Sequence, residues 1–191
     1  MIVWKHGGLA MHPPLQVIAD ELRAAQARLH RLAESVPREH WPTRPAPGRW
    51  SAAECVAHLN LTAIAFRAPV QRALEEGRRR GRTVRGRYRR DPIGWLLWRT
   101  MPPPVRFKVK TASPFVPQAS RPLEELVVEF DRLQEEQLAW VKDADGLPAG
   151  RLWTPSPFNP RVKYNLYSCL SILPRHQERH LWQAEQALQG R

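Results

Sequence analysis

Four stretches of this chain repeat apolar residues at intervals of three or four, and proline-rich segments separate them. That spacing places apolar side chains on one face of a helix, whereas proline removes an amide donor and disrupts most helix interiors. The helices therefore have to pack their apolar faces around a shared core. The pattern predicts an all-α four-helix bundle without clear strands, whose helices cover residues 13–35, 51–76, 120–145 and 164–189.

The connection between the second and third predicted helices, residues 77–120, is long and rich in arginine and proline. Connections of this length are uncommon in a compact domain. This one fits a crossover that leaves the second and third helices parallel, with a short helix at residues 93–98 lying across the bundle. We expect a single domain over residues 1–191, in which residues 1–12 form a poorly ordered lead-in.

The charge of the chain is strongly positive, with 30 lysines and arginines against 18 aspartates and glutamates. Eight arginines fall within residues 78–90, a density that could attract phosphate groups. No recognition-helix motif accompanies this run, and Tyr88 is the only aromatic residue inside it. We interpret the run as a solvated loop. The alternative function is a non-enzymatic, basic nucleic-acid-binding or stress-associated module with a structural or vestigial metal site.

The sequence predicts neither a membrane-spanning segment nor a secretory signal. It contains no stretch of about 18 apolar residues that could cross a membrane, and its start lacks the apolar core of a secretory signal. Cys55 and Cys169 are its only cysteines, too few for a disulfide framework in a chain of 191 residues. We expect a cytoplasmic protein with reduced thiols and no membrane partner.

The most specific chemical signal is a pair of histidines, His176 and His180, in the fourth predicted helix. Residues four apart share a helix face one turn apart, so both imidazoles can reach one metal ion. Catalytic zinc sites typically use three protein ligands, and the natural third is His58, a polar ring among core-facing residues of the second helix. Ser51 and Glu54 form a capping box that begins that helix.

These motifs together resemble the DinB/YfiT-like family of metal-dependent enzymes. The resemblance covers about residues 13–189 and rests on two motifs, Trp50-Ser51-x-x-Glu54-x-x-x-His58-Leu59 and His176-x-x-x-His180-x-x-Gln183. It implies a four-helix bundle of up-down-down-up topology, with a divalent metal bound by His58, His176 and His180. The family includes transferases and isomerases that use low-molecular-weight thiols.

Three neutral imidazoles would leave the charge of a divalent ion uncompensated, which favours an anionic fourth ligand. In a hydrolase, the expected nucleophile is a water molecule that the metal makes more acidic. In a transferase, the expected nucleophile is a thiol cosubstrate that ionises on the metal. Zinc or nickel suits an all-imidazole site, with manganese or iron as alternatives. The sequence leaves both reactions open and assigns no side chain as the catalytic group. We expect a small-molecule substrate, anionic if arginines reach the pocket mouth.

Four further residues are candidates for the surroundings of the metal. Gln183 could orient a ring or a bound water, and Tyr164 could line the pocket. Cys55 lies three residues before the histidine of the second helix, where core packing explains it as well. Glu54 lies one turn before the same histidine, where the capping box is the better explanation.

Two other features limit the function. Glu178 lies about 200° around the helix from His176, so it faces away from the site. It also does not directly follow His176, which excludes a His-Glu-x-x-His metalloprotease motif.

The apolar residues 95–98 favour either a homodimer contact or a cover for the core of the bundle.

Overall fold

The computed structural model of the protein describes residues 11–81, 88–104, 111–117 and 121–190. Within these ranges the chain forms α1 (Pro13–Ser35), α2 (Ala52–Arg80), α3 (Pro92–Thr100), α4 (Leu123–Asp143) and α5 (Leu166–Leu188). Two strands, β1 (Trp153–Pro155) and β2 (Lys163–Asn165), precede α5. Short turns of 3-10 helix cover Arg38–His40, Ser113–Phe115 and Ala149–Arg151.

The four long helices enclose the core. α2 packs against α4 and α5, and α1 packs against the same two helices. Their apolar side chains form two buried clusters, with members such as Leu22, Phe66, Val141 and Leu170 in one and Leu29, Val56, Phe130 and Leu181 in the other. The predicted all-α character is confirmed as a mostly helical fold. Among the described residues, no helix is both long and apolar enough to span a membrane.

The loop before α5 contains two short strands, where we expected none. β1 and β2 pair antiparallel, with Trp153 opposite Asn165. The Thr154 hydroxyl donates to the Tyr164 carbonyl at 3.0 Å, and both residues are buried. Each strand has only three residues, too few for an alternating apolar pattern to identify it.

The helix ends differ from the prediction in α2, α4 and α5, and α4 covers Leu123–Asp143 rather than residues 120–145 because Pro122 is its N-cap. α5 begins at Leu166, because the two residues before it belong to β2, and the Asn165 side chain caps it by accepting from the Ser168 amide at 2.8 Å. α2 continues to Arg80 rather than ending near residue 76, and it ends where Gly81 takes a positive φ of 84°. Arg80 pairs with Glu76 one turn earlier. α1 begins at Pro13 as predicted, and residues 1–10 of the expected lead-in lie outside the described residues.

α3 confirms the short helix expected in the crossover, and it packs against α5. The Asp91 carboxylate caps α3 by accepting from the Gly94 amide at 3.0 Å. It also accepts from the Asn165 amide at 2.8 Å and the Ser168 hydroxyl at 2.7 Å. Gly94 lies so close to α5 that a Cβ added there would be 2.2 Å from the Cβ of Ser168. Only glycine fits this contact.

The other face of α3 is exposed. Ile93, Trp95 and Leu96 are 47%, 53% and 55% exposed, whereas Leu97 and Trp98 pack against the core. The helix therefore covers the core of the bundle with one face, which was one of the two interpretations of residues 95–98. A homodimer contact through its other face remains a prediction.

The arginine-rich run lies only partly within the described residues, since residues 82–87 are outside them. Arg78 pairs with Asp143 of α4 at 2.7 Å. The Arg90 guanidinium lies over the Trp98 ring, 4.0 Å from its centroid, which is a cation–π contact. These two arginines therefore hold elements together.

Candidate metal centre

The start of α2 determines where His58 lies. The Ser51 hydroxyl accepts from the Glu54 amide at 3.2 Å, and the Glu54 carboxylate accepts from the Ser51 amide at 2.9 Å. This reciprocal pair confirms the predicted capping box. The helix that it begins carries His58 into the interior, where the residue is 2% exposed.

α5 supplies His176 and His180, one turn apart on the side that packs against α2. A proline inside a helix, such as Pro174, either kinks the helix or marks its effective start. α5 begins at Leu166 and runs through Pro174, which is buried, so the second of these alternatives is wrong. The histidine pair lies well inside a continuous helix.

The rings of His58, His176 and His180 meet between α2 and α5. Each contributes one potential ligand nitrogen, and these nitrogens all lie within 4.8 Å of one another. Nε2 of His58 is 3.4 Å from Nε2 of His176, and the centroids of the His58 and His180 rings are 4.3 Å apart. Two nitrogens bound to a tetrahedral ion at about 2.0–2.1 Å would be about 3.3–3.4 Å apart. The three histidines are thus positioned to bind one ion.

Hydrogen bonding leaves ring nitrogens available in this cluster. Nδ1 of His58 donates to the Phe115 carbonyl at 2.7 Å, which fixes the tautomer whose Nε2 carries a lone pair. Nδ1 of His180 is buried and has no hydrogen-bond partner among the described residues. A buried polar atom without a partner is costly. Ring nitrogens that lack a hydrogen-bond partner are free to act as ligands of a metal ion.

Comparison with known protein families gives an independent result. The family model of the DinB superfamily matches residues 21–184, a range that includes all three histidines. The chain belongs to the DinB superfamily. The resemblance inferred from the two motifs is therefore confirmed. No curated protein and no solved structure matches the chain.

The surroundings of the three histidines of this DinB protein favour the neutral form of their rings. Burial is the main cause that lowers the pKa of His176 and His180 well below 6.5, and the neighbouring site histidines and Arg179 lower it further. Burial also lowers the pKa of His58, although its hydrogen bond to the Phe115 carbonyl acts in the opposite direction. Neutral imidazole is the form that binds metals. The donor set therefore fits a divalent ion.

Aromatic side chains surround the cluster. The Trp50 ring lies 4.9 Å from the His58 ring, and the Phe158 ring lies 6.0 Å from the His176 ring, both between centroids. Phe158 also packs against Phe115 at 4.6 Å and is 39% exposed. These rings limit the access of water to the histidines. Low polarity of this kind strengthens any electrostatic interaction inside the site.

The polar candidates Glu54 and Gln183 lie beside the cluster in different roles. The Glu54 carboxylate completes the helix cap and pairs with Arg44, so both of its oxygens have partners outside the cluster. A side-chain hydrogen bond with Gln183 raises the pKa of His180, against the stronger effect of burial, and His180 Nδ1 has no partner among the described residues. Glu178 pairs with Arg175 at 3.1 Å, in agreement with its expected position away from the site.

Cys55 and Tyr164, the other two candidates, are both buried. Cys55 is 1% exposed, and burial raises the pKa of its thiol to about 12. Tyr164 lies in β2 and packs in the core cluster with Phe66. Among the described residues, no ring contact joins Tyr164 to the three histidines. A role in lining the pocket stays a prediction for both residues.

Three parts of the site escaped the sequence analysis. The Phe115 carbonyl, 57 residues from His58 in the chain, has no residue signature because every residue carries a carbonyl. Phe158 lies in the loop between β1 and β2, where no periodic pattern assigns a side chain to the site. Arg179 follows His176 by three residues, a spacing that puts neighbours on one helix face and could have indicated it.

Proposed function

We propose that this DinB protein is a metal-dependent enzyme, either a hydrolase or a transferase that uses a low-molecular-weight thiol. The observation that carries the proposal is the cluster of His58, His176 and His180, whose potential ligand nitrogens lie within 4.8 Å of one another. Membership of the DinB superfamily supports it. When bound, a divalent ion supplies Lewis acidity, which activates a water molecule or a thiol as a nucleophile at neutral pH.

Each residue of the site has a part in this proposal. The three imidazoles would hold the ion, and their neutral state preserves its positive charge. The Phe115 carbonyl orients the His58 ring through the hydrogen bond from Nδ1. Trp50 and Phe158 restrict water around the cluster.

Zinc or nickel is the metal that we propose, with manganese or iron as alternatives. Three imidazole nitrogens are ligands that suit zinc, nickel, copper and iron alike, and affinity alone does not select among them. The absence of carboxylates from the cluster, within the described residues, disfavours magnesium and calcium, which prefer oxygen ligands.

We infer that no cysteine or glutamate side chain near the site supplies the nucleophile or the base. Cys55 and Cys169 are buried, and burial raises the pKa of each thiol to about 12, so neither is suited to act as a thiolate. The carboxylates of Glu54 and Glu178 form ion pairs with arginines. A thiol reaction at this site would therefore use the thiol of a cosubstrate.

We also propose the up-down-down-up topology that the family resemblance implies. Residue pairs between α2 and α4, and between α1 and α5, follow the same order along both chain segments, which supports parallel neighbours in each case. The pairs join Asn60 to Leu126, Arg67 to Glu136, Glu21 to Arg175 and Arg28 to Glu185.

Paired assays of the metal-loaded protein test the reaction class. Hydrolysis of p-nitrophenyl acetate is measured without thiol, and conjugation of 1-chloro-2,4-dinitrobenzene is measured with cysteine or glutathione. One of the two rates is expected to depend on the metal and to fall at least about tenfold in His58→Ala, since even an outer partner of a ligand costs that much. His40→Ala, at an exposed histidine, is the matched control and should keep the rate. Equal rates in both variants would contradict the proposal.

A further inference from the structure

Three phenylalanines from separate parts of the chain meet beside the candidate metal centre. Phe66 lies in α2, Phe115 in the 3-10 turn Ser113–Phe115, and Phe158 in the loop between β1 and β2. The Phe158 ring contacts both of the others, with its centroid 4.6 Å from that of Phe115 and 6.0 Å from that of Phe66. It also lies 6.0 Å from the His176 ring. One aromatic side chain therefore joins this phenylalanine cluster to a proposed metal ligand.

The phenylalanine cluster and the histidine cluster come nearest to solvent at the same place. Phe158 is 39% exposed, whereas the other two phenylalanines are buried. Of the histidines, His58 and His180 are buried, and His176 as a whole residue is only partly buried. Because the rings of His176 and Phe158 are neighbours, a molecule that approaches the histidines from this side meets the exposed part of the Phe158 ring.

The loop that carries Phe158 is held by its own hydrogen bonds. The Ser156 hydroxyl accepts from the Phe158 amide at 3.3 Å, and the Ser156 amide donates to the Val162 carbonyl at 2.8 Å. The Val162 amide in turn donates to the Asn159 carbonyl at 2.9 Å. Exposure of a large apolar ring to water is unfavourable, and a ligand that covers the ring recovers this free energy. The loop thus presents an apolar contact surface in a defined position at the edge of the site.

We propose that Phe158 determines specificity, because its exposed ring binds an aryl group of the substrate or thiol cosubstrate next to the three histidines. The inference rests on the proposed function, since it assigns the reacting group of the ligand to the metal and the apolar group to Phe158. An aromatic pair gains stability beyond the burial of its area, so an aryl group suits this contact better than an alkyl group of equal size. The rings of Phe158 and His176 are 6.0 Å apart, so the two groups have to be close together in the ligand.

The test uses the Co²⁺-loaded protein, whose absorption reports both the bound ion and the binding of a thiolate to it. Phenylmethanethiol and ethanethiol are titrated separately, because both offer the same sulfur ligand and only the first carries an aryl group. The proteins are the unmutated chain, Phe158→Ala, Phe158→Leu and the control Trp153→Ala. Trp153 lies in β1 of the same hairpin, is 56% exposed, and has no ring contact with the histidines among the described residues.

Phe158→Ala should weaken the binding of phenylmethanethiol by about tenfold, as expected for the loss of one aromatic contact. It should change the binding of ethanethiol much less and leave Co²⁺ affinity unchanged. Phe158→Leu keeps an apolar side chain and should lose only part of the affinity for phenylmethanethiol, and it serves as the test if the alanine variant does not fold. Trp153→Ala should bind both thiols as the unmutated protein does. A purely structural role of Phe158 would instead weaken the binding of Co²⁺ and of both thiols together.

Three results would overturn the inference. They are an equal change in the affinity for the two thiols in the Phe158 variants, equal weakening of Co²⁺ and thiol binding in those variants, and no binding of phenylmethanethiol by the Co²⁺-loaded unmutated protein. In all three cases the unmutated protein binds Co²⁺, so the metal site itself stands. Failure of the unmutated protein to bind Co²⁺ is a different result, which overturns the proposed function and the inference with it.

Discussion

The lowered pKa of the site histidines makes the stability of the metal-free protein depend on pH. Burial, with the charges of its neighbours, holds the pKa of His180 well below its ordinary value of 6.5. The unfolded chain regains that value, so below pH 6.5 it takes up a proton that the folded state does not. The free energy of unfolding is therefore highest above pH 6.5 and falls towards acid, by up to about 1.4 kcal/mol per pH unit for this ring.

Urea unfolding of the metal-free protein between about pH 7.5 and about pH 5.5 measures this slope. His180→Gln should reduce the slope, whereas His40→Gln, at an exposed histidine outside the site, should leave it nearly unchanged. The same slope in the unmutated protein and in His180→Gln would contradict the assignment of a buried neutral ring.

The two thiols should be unreactive in the folded protein. Cys55 and Cys169 are 1% and 0% exposed, and burial raises the pKa of each to about 12. Because the thiolate is the reactive form, we expect almost no labelling by 5,5′-dithiobis(2-nitrobenzoate) in native buffer and two labelled thiols per chain in guanidinium. Rapid labelling of either thiol before unfolding would show that it has a role outside the core.

Individual residues were predictable where side-chain type carries the signal. The spacing of His176 and His180 indicated a shared face, and the cap at Ser51 indicated that His58 belongs to a helix. The partner of His58 was not predictable, because the Phe115 carbonyl comes from the backbone of a distant loop. Long-range hydrogen bonds to backbone atoms depend on the final packing rather than on local sequence.

Among the elements, α3 has the most demanding contact. Gly94→Ala would place a Cβ 2.2 Å from the Ser168 Cβ and 2.9 Å from an Asp91 carboxylate oxygen, so α3 has to move away from α5. We expect a loss of about 1–3 kcal/mol in the free energy of unfolding, the usual range for overpacking. Chemical denaturation measures it directly.

Leu96→Ala is the matched control for this contact. Leu96 lies on the same helix with its side chain 55% exposed, so the substitution should change stability by less than about 0.5 kcal/mol. A Gly94→Ala protein as stable as Leu96→Ala would mean that α3 does not pack on α5 as described.

Element type was predictable for long, periodic segments and failed for short ones. The apolar stripes of α1, α2 and α4 indicated helices directly. β1 and β2, with three residues each, lie in a proline-containing loop and depend on burial of Tyr164 and Thr154 for their pairing. The boundary of α5 moved for the same reason, since Tyr164 and Asn165 are held in a strand.

At the scale of the whole molecule, described arginines that form ion pairs are spread over the bundle. Arg28, Arg67, Arg121 and Arg175 pair with glutamates of three helices, α1, α4 and α5. In each pair a carboxylate compensates the guanidinium charge that phosphate binding would use. The nucleic-acid-binding module stays the alternative to the enzyme.

The overall architecture followed from the sequence because four apolar stripes have few ways to be buried together. That His58 lies beside His176 and His180 was also predictable, since α2 and α5 turn these side chains towards the same interior. What the sequence could not supply was the arrangement of the loops, which bring Phe115 and Phe158 to the site from two separate connections.

Metal content of the purified protein tests the central claim most directly. The protein is expressed without added chelator, and its metals are counted by inductively coupled plasma mass spectrometry, alongside His58→Ala and the exposed-site control His40→Ala. We predict about one divalent ion per chain in the unmutated protein and in His40→Ala, and a large loss in His58→Ala. An unmutated protein without stoichiometric metal, or equal metal in His58→Ala, would contradict the assignment of a three-histidine metal centre.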